Sequence, residues 1–222
     1  MITSRVRAAA LVVLAIEVPL AAALLVANST SSARALEPGP HAFLQTHPDG
    51  SPVTWDPCSP IGYVVNWDHA PDGALPLLTD AVATVEDATG LTFTALGATR
   101  VDPTSDAAVD VLPAGAEVLI SWVPTGEEQL YADGEAVGWA RPLAAGGGYV
   151  RGQVSLDAGW FAAASPAQAR RVVLHELGHL VGLDHAGDDG QLMGAHGTPT
   201  AFQQGDLEGL AELGPRSGPR CS

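Results

Sequence analysis

The 222-residue chain contains no lysine, and ten arginines are its only strongly basic residues against 25 acidic ones. The formal net charge is −15. A surface this acidic repels phosphate groups, which argues against nucleic acids and anionic membranes as partners. Internal repeats and low-complexity segments are absent as well. The length that remains after a targeting segment suits a single domain.

Long apolar runs are also scarce, and the one present lies at the N-terminus, from Ala8 to Ala27. Two arginines precede it, and the sequence at 33–35 fits a signal-peptidase site. A permanent membrane anchor is the alternative, because about 20 apolar residues can span a bilayer. Glu17 and Pro19 interrupt the run, which favours cleavage. We therefore expect residues 1–35 to be a signal peptide and the mature protein to be secreted. In the alternative, the rest of the chain is membrane-anchored outside the cytoplasm.

Cysteine is limited to Cys58 and Cys221. In an exported protein an even pair indicates a disulfide first. Such a bridge would close a loop across most of the domain and stabilise it by about 4–5 kcal/mol in the chain-entropy model. The alternative that stays open is a thiolate that binds a metal ion and keeps the protein latent.

What the chain does contain is the segment HELGHLVGLDH at residues 175–185. His175 and His179 are four apart, so a helix places both imidazoles on one face, where they can bind one Zn²⁺ at about 2.0–2.1 Å. Gly182 can end the helix with a positive φ and turn the chain back. His185 can then approach the same ion from another side. Three histidines leave one coordination position open, as a catalytic zinc requires.

Glu176 directly follows the first histidine and is not needed as a ligand. A carboxylate at this place can accept a proton from a zinc-bound water, so Glu176 is the expected general base. A structural zinc site needs no free carboxylate beside the metal, so Glu176 favours catalysis. A structural site also usually has four protein ligands. The helix is predicted to begin after Ser165 as N-cap, with Pro166 at its first position and Gln168 completing a capping box, and to end at Gly182.

The pattern HExxHxxGxxH followed by a methionine turn resembles the metzincin metallopeptidases, and the chain is most similar to their matrixin branch, including bacterial secreted relatives. Met193, eight residues after His185, fits the turn methionine that in this family lies beneath the zinc ligands. A plain core methionine is a compatible alternative. The resemblance implies one α/β (α+β) catalytic domain with a mixed twisted sheet, an antiparallel edge strand, a zinc-binding helix and a C-terminal helix.

The resemblance extends beyond the motif, and we place the domain at residues 53–222 after a Pro/Gly-rich lead-in at 36–52. The matching segments are 61–67 (first strand), 74–93 (first helix and second strand), 115–123 (third strand), 137–142 (edge strand), 149–158 (next strand) and 205–214 (closing helix). By resemblance, an extended peptide would lie antiparallel to the edge strand. Trp139 in that strand either lines the substrate cleft or packs as an ordinary core residue.

The chain also departs from the family. Animal matrixins bind a second, structural zinc partly through histidines in two strands, where this chain has Trp139 and Ser155, so we expect that site to be absent. Asp157 is a candidate to retain a calcium site, with a solvated strand end as the alternative, and nothing else supports calcium. The family's cysteine switch has no counterpart before the domain. After the turn methionine the chain has Gly194, Ala195 and His196, so the family's pocket preference does not carry over.

Together these features predict a secreted zinc endopeptidase with one catalytic Zn²⁺, a peptide or protein substrate and a monomeric state. Two alternatives stay open. One is a non-catalytic zinc-binding protein of the same fold, and the other is an amidase acting on small or cell-wall peptides. His41, His47 and His69 lack ligand spacing and are expected to be solvated.

Overall fold

A five-stranded mixed sheet with helices packed on it is the framework of this computed structural model, which describes residues 40–103, 110–125 and 136–215. In chain order the elements are β1 (Ala42–Phe43), β2 (Ile61–Asn66), α1 (Ala74–Thr89), β3 (Phe93–Ala98), β4 (Val118–Val123), β5 (Gly138–Ala145), β6 (Gly148–Asp157), α2 (Ala158–Ala163), α3 (Pro166–Val181), β7 (Leu183–Asp184) and α4 (Gln204–Leu213). The strands and helices that the sequence patterns predict are all present within a few residues of their expected bounds.

The sheet has the strand order β3-β2-β4-β6-β5. β2 pairs in parallel with β3 and β4, and β4 pairs in parallel with β6. β5 is antiparallel to β6 and lies at the edge, which confirms the predicted fold class. A two-residue glycine turn joins β5 and β6 into a hairpin. Gly146 and Gly147 adopt φ of 64° and 94°, which glycine permits without a steric penalty.

Alternation along β4 divides the apolar side chains between the two faces of the sheet. Val118, Ile120 and Trp122 belong to the main core, which also contains the buried side chains of α1 and α3. Leu119 points to the other face and packs in a small separate cluster with Val64. The large core therefore lies between the sheet and the helices.

Helix α1 packs against α3, and α3 in turn packs against β5 and β6. Helix α1 ends at Gly90, whose φ is 83°. Its apolar face, including Leu78, Ala81 and Val85, is buried. Contact with α1 therefore fixes one face of α3, and the opposite face of α3 is directed toward the edge strand.

Three elements, β1, β7 and α2, were not predicted. β1, within the lead-in, pairs antiparallel with β7, so that Ala42 lies opposite Asp184. The backbone N–H of Leu44 extends this pairing by donating to the carbonyl of Gly182 (2.9 Å). The other unpredicted element is the short helix α2, whose first turn is capped by Asp157.

The predicted signal peptide and Cys221 lie outside the described residues. Secretion and the Cys58–Cys221 disulfide therefore stay predictions. Within the described ranges, none of the helices has the length and apolar character needed to cross a membrane.

Candidate metal centre

Helix α3 begins as its sequence predicts. The backbone N–H of Gln168 donates to Oγ of Ser165 (3.4 Å), and the backbone N–H of Ser165 donates to Oε1 of Gln168 (3.1 Å). With Pro166 at its start, this capping box confirms the predicted N-terminus. A helix fixed at both ends can hold side chains four residues apart at a constant separation, which a metal site requires.

Three histidine side chains converge at the open face of α3. The Nε2 atom of His185 lies 3.2 Å from Nε2 of His175 and 3.3 Å from Nε2 of His179. Two nitrogens that each lie about 2.0–2.1 Å from one ion at a tetrahedral angle are roughly 3.3 Å apart. Both distances from His185 match this spacing, and the ligand atoms of all three histidines lie within 4.8 Å of one another. Within the described residues, this is the group of metal-binding side chains close enough to share one ion.

The other ring nitrogens determine where the protons are. Nδ1 of His175 is 3.0 Å from the carbonyl of Leu192, and Nδ1 of His179 is 2.8 Å from the carbonyl of Leu183. Because a carbonyl can only accept, each Nδ1 must donate, which leaves a lone pair on Nε2. Lone pairs that face each other at this distance need a proton or a cation between them. The donor set therefore fits zinc, which prefers imidazole nitrogen and tetrahedral geometry.

Burial keeps the two helical imidazoles neutral. It lowers the pKa of His175 to about 3, with the positive charges of His179, His185 and Arg171 as further causes. Burial likewise lowers the pKa of His179 to about 4. Neutral imidazole is the form that binds a metal ion, so both side chains are ready to act as ligands at neutral pH.

Gly182 ends α3 and redirects the chain toward the third histidine. Its φ is 125°, and its N–H donates to the carbonyls of Gly178 (3.2 Å) and His179 (3.0 Å). A Cβ at this position would lie 3.0 Å from a Leu213 methyl and 3.1 Å from the Tyr149 ring. Both the backbone conformation and the space therefore require glycine. The chain then enters β7, whose pairing with β1 holds the segment just before His185.

The Glu176 carboxylate lies in a pocket that sequence reasoning did not foresee. The side chain is only 6% exposed, and burial raises its pKa to about 8. A Cβ built on Gly138 of β5 would lie 2.7 Å from Oε1 of Glu176 and 2.9 Å from Cδ. Gly138 thus leaves the space that the carboxylate fills. A zinc ion nearby would act on the pKa in the opposite direction, by favouring the charged form.

Met193 lies against the zinc-binding helix, as the resemblance implies. It is 1% exposed, and a Cβ on Gly178 would lie 2.5 Å from its sulfur. The glycine between the two helical histidines therefore admits the methionine beneath them. The neighbouring Leu192 supplies the carbonyl that orients His175, so this turn both supports the helix and directs one ligand.

Two buried polar residues, which the sequence reasoning missed, hold the turn. Asp206 of α4 is fully buried and accepts hydrogen bonds from the backbone N–H groups of Leu192 (2.8 Å), Met193 (3.2 Å) and Gln203 (2.8 Å). In return, Oε1 of Gln191 accepts from the N–H groups of Gly205 (2.9 Å) and Asp206 (3.2 Å). The turn and the start of α4 therefore cap each other. The only sequence signal was an acid near the start of a predicted helix.

A cleft of about 690 Å³ runs past the histidines. One wall consists of Val137 and the first residues of the edge strand, Gly138 to Ala140, and the other wall includes Ala195 and His196. Trp139 is half-buried and lines this cleft. Arg171, one turn before His175 on α3, lines it as well.

The remaining predicted residues lie elsewhere. His41, half-buried, contacts Oε1 of Glu212 at 3.4 Å, and His47 and His69 do not join the histidine cluster. Trp139 and Ser155 are direct partners across β5 and β6. Oδ1 of Asp157 accepts from Trp160 N–H and from Oγ1 of Thr125, both at 2.7 Å, which is a structural role as a helix cap.

Comparison with known proteins gives limited information. No model of a known protein family matches the sequence, and no curated protein matches it. Among solved structures, the chain is similar to archaemetzincin from Methanopyrus kandleri, with a TM-score of 0.49 and 16% identity over 69% of this chain and 94% of that one. The nature of the site therefore rests on the geometry of its own residues.

Proposed function

We propose that this protein is a zinc-dependent endopeptidase of the metzincin type. The observation that carries the proposal is the convergence of three histidine side chains, with Nε2 of His185 3.2 and 3.3 Å from the other two Nε2 atoms, beside a buried carboxylate that is not part of the ligand set. A structural zinc site would be expected to have a fourth protein ligand. The free carboxylate and the open cleft instead favour catalysis.

His175, His179 and His185 would hold the ion. The chemistry that zinc supplies in such a site is activation of a water molecule and polarisation of a carbonyl group. Glu176 is the residue placed to accept the proton of that water and to pass it to the leaving amine. Its pocket against Gly138 keeps the carboxylate from turning into solvent, so that proton transfer starts from a fixed position.

The free edge of β5 is the proposed site for the peptide backbone. In the described sheet β5 pairs with β6 on one side, and its other side faces the cleft. An extended peptide can add to such an edge through main-chain hydrogen bonds, which do not depend on its sequence. Glu176 touches this strand at Gly138, so a peptide bound there would pass close to both the carboxylate and the histidines.

Export is part of the proposal and depends on the N-terminal segment and the cysteine pair. The apolar run of residues 8–27 supports a signal peptide, and an even number of cysteines supports a disulfide in an oxidising compartment. We expect the secreted protein to begin near Leu36. Its intact mass should be lower than that of the reduced chain by about 2 Da if Cys58 and Cys221 are bridged. Two thiols that react with iodoacetamide in the native secreted protein would contradict the bridge and favour the latency alternative.

Digestion of a mixed peptide library tests the enzymatic proposal. We expect the zinc-loaded protein to cleave internal bonds, to lose activity with a chelator and to regain it when zinc is restored. The Glu176→Gln variant, at equal zinc content, is the control for contaminating peptidases. No cleavage by the fully loaded wild type would support the non-catalytic alternative, and hydrolysis limited to very short peptides would support the amidase.

A further inference from the structure

Two adjacent arginines on α3 have opposite surroundings. Arg170 is fixed on the outer face, where Nε donates to Oδ2 of Asp80 (2.7 Å), Nη2 to Oγ1 of Thr84 (3.1 Å) and Nη1 to the carbonyl of Thr200 (3.2 Å). Its charge is neutralised and its donors are used. It therefore links α3 to α1 and has no further function to explain.

Arg171, in contrast, points into the cleft. It is half-buried, and its Nε is a buried donor without a hydrogen-bond partner. Within the part of the chain that the structure describes, Arg171 makes no salt bridge. A buried donor left unpaired is costly, and most such groups in native proteins find a partner. In a chain with a net charge of −15, an unpaired arginine in the cleft is unexpected unless a ligand supplies the partner.

Among the described residues, the other charged or titratable groups that line the cleft do not neutralise Arg171. Glu176 is buried against Gly138 of the edge strand. Oδ1 of Asp184 accepts from the N–H of His185 in its own loop (2.7 Å). The backbone N–H of His196 donates a hydrogen bond to Oδ1 of Asp189 (3.1 Å). The guanidinium is therefore available to a molecule that enters the cleft.

The helix sets the distance from Arg171 to the metal ligands. Arg171 precedes His175 by four residues, which is about one turn, or roughly 5.4 Å along the axis. An extended peptide advances about 3.3–3.4 Å per residue. A group that contacts the guanidinium would thus belong to a substrate residue one or two positions from the bond held at the histidines. A planar guanidinium with parallel donors is suited to bind a carboxylate in a bidentate manner.

We infer that Arg171 binds a carboxylate of the substrate and selects peptides that carry an acidic group within two residues of the scissile bond. This inference rests on the proposed peptidase function. The carboxylate can come from a Glu or Asp side chain or from the C-terminus of the peptide, and the two sources share the same chemistry.

The test uses matched peptides that differ only by Glu or Gln at each position within two residues of a mapped cleavage site. Each pair is made with an amidated and with a free C-terminus, which separates the two sources of the carboxylate. For the wild type we expect kcat/KM to be about tenfold higher for the carboxylate at one of these positions, the size of one charge-assisted hydrogen bond at a partly exposed site.

Four variants make the test specific. Arg171→Gln should bring the Glu/Gln ratio close to one, and Arg171→Lys should keep part of it. Arg171→Glu should reverse the preference in favour of a Lys-containing peptide. Arg170→Gln, at the adjacent position, is the matched control and should keep the wild-type Glu/Gln ratio of kcat/KM even if it lowers stability. Zinc content and thermal unfolding are measured for each variant. The Glu/Gln ratio of kcat/KM is compared because it does not depend on the fraction of folded enzyme.

A binding measurement separates this inference from the proposed function. The same peptides are titrated against the zinc-loaded Glu176→Gln variant, with and without Arg171→Gln, and Kd is measured by fluorescence anisotropy. If the wild type cleaves no peptide, library peptides that differ by Glu or Gln replace them, and tighter binding of the carboxylate form that is lost in Arg171→Gln would support the carboxylate contact and reject the peptidase. Cleavage without preference at any position, or a preference that survives Arg171→Gln, would overturn the inference alone. Failure to bind or cleave any peptide would overturn both.

Discussion

The backbone N–H of Met193 donates a hydrogen bond to Oδ1 of Asp206, so a buried carboxylate of the last helix holds the turn beneath the metal ligands (3.2 Å). The second oxygen of the same carboxylate accepts from Leu192, the residue whose carbonyl orients His175. Asp206 is therefore connected to the candidate ligand His175 through two steps, from carboxylate to turn and from turn to imidazole.

The Asp206→Asn substitution should weaken zinc binding although the residue is not a ligand. An amide replaces one acceptor oxygen with a donor that faces backbone N–H groups. We expect the free energy of unfolding to fall by about 2–4 kcal/mol. Loss of this outer support should reduce zinc affinity about 10- to 100-fold. Glu212→Gln on the same helix is the control and should change neither quantity appreciably. Competition with a chromophoric chelator measures the affinity, and wild-type affinity in Asp206→Asn would contradict this role.

Glycine at position 138 should be required for turnover and not for metal binding. Alanine at this position would push its Cβ into the Glu176 carboxyl group, which lies within 2.7–2.9 Å of it. A displacement of about 1 Å in a catalytic group can cost about 10²-fold in rate. We expect kcat to fall by that order while zinc content stays at one per chain. Gly187→Ala is the matched control, because a Cβ at Gly187 meets no atom within 4 Å. Equal loss of activity in both variants would exclude the proposed contact as the cause.

Replacement of the third histidine distinguishes ligands from other histidines of the cleft. His185→Ala should lower zinc affinity by more than the roughly 10- to 100-fold that loss of an outer partner costs. His196→Ala should retain zinc, because His196 lines the same cleft but lies outside the histidine cluster. Metal analysis after dialysis compares the two variants. Retention of zinc by His185→Ala together with its loss from His196→Ala would show that the ligand assignment is wrong.

Removal of the proposed general base, Glu176, should leave a bound zinc ion in place. Glu176→Gln preserves the shape of the side chain but removes its basic oxygen, and the three imidazoles are unaffected. General acid–base catalysis typically contributes about 10²–10⁴-fold, so kcat should fall by that factor with KM little changed. Single-turnover kinetics at full zinc occupancy measure the chemical step. Wild-type turnover would mean that another group activates the water.

The parts that were predictable from sequence are those that depend on local interactions. The capping box of α3 and the end of α1 at Gly90 follow from residues within one turn of each other. The position of His175 and His179 on one face of α3 was predictable because helical periodicity converts their spacing into a geometry. The direction and edge position of β5 came from family resemblance rather than from its own pattern.

The missed features depend on contacts between residues far apart in the chain. Gly138 and Glu176 meet across 38 positions, and the bond from Leu192 to Asp206 spans 14. The sequence alone does not indicate the roles of Gly138 and Asp206, because a glycine in a strand and an acid near the start of a helix both have common local explanations. The pairing of β1 with β7 was missed for the same reason, since two-residue strands carry no periodicity.

The pH dependence of folding should show opposite effects of the histidines and Glu176 in the metal-free protein. Folding lowers the pKa of His175 and His179 from 6.5 to about 3 and about 4, so below pH 6.5 the unfolded chain binds more protons. The free energy of unfolding should therefore fall as the pH drops through this range. Folding raises the pKa of Glu176 from 4.5 to about 8, so between these values the folded chain binds more protons and stability falls as the pH rises.

Below pH 6.5 the two histidines outweigh the single carboxyl, and above it only the carboxyl acts. These groups therefore predict maximal stability of the metal-free protein near pH 6.5, with a decline toward pH 8 that Glu176→Gln removes while the acidic decline stays. Urea unfolding at a series of pH values, in the presence of a chelator, measures both the acidic and the alkaline decline in the free energy of unfolding. Zinc should suppress the alkaline decline as well, because a nearby cation favours the charged carboxylate. If the alkaline decline persisted unchanged in Glu176→Gln, its origin would lie in another group, and the buried carboxyl would not have the environment described above.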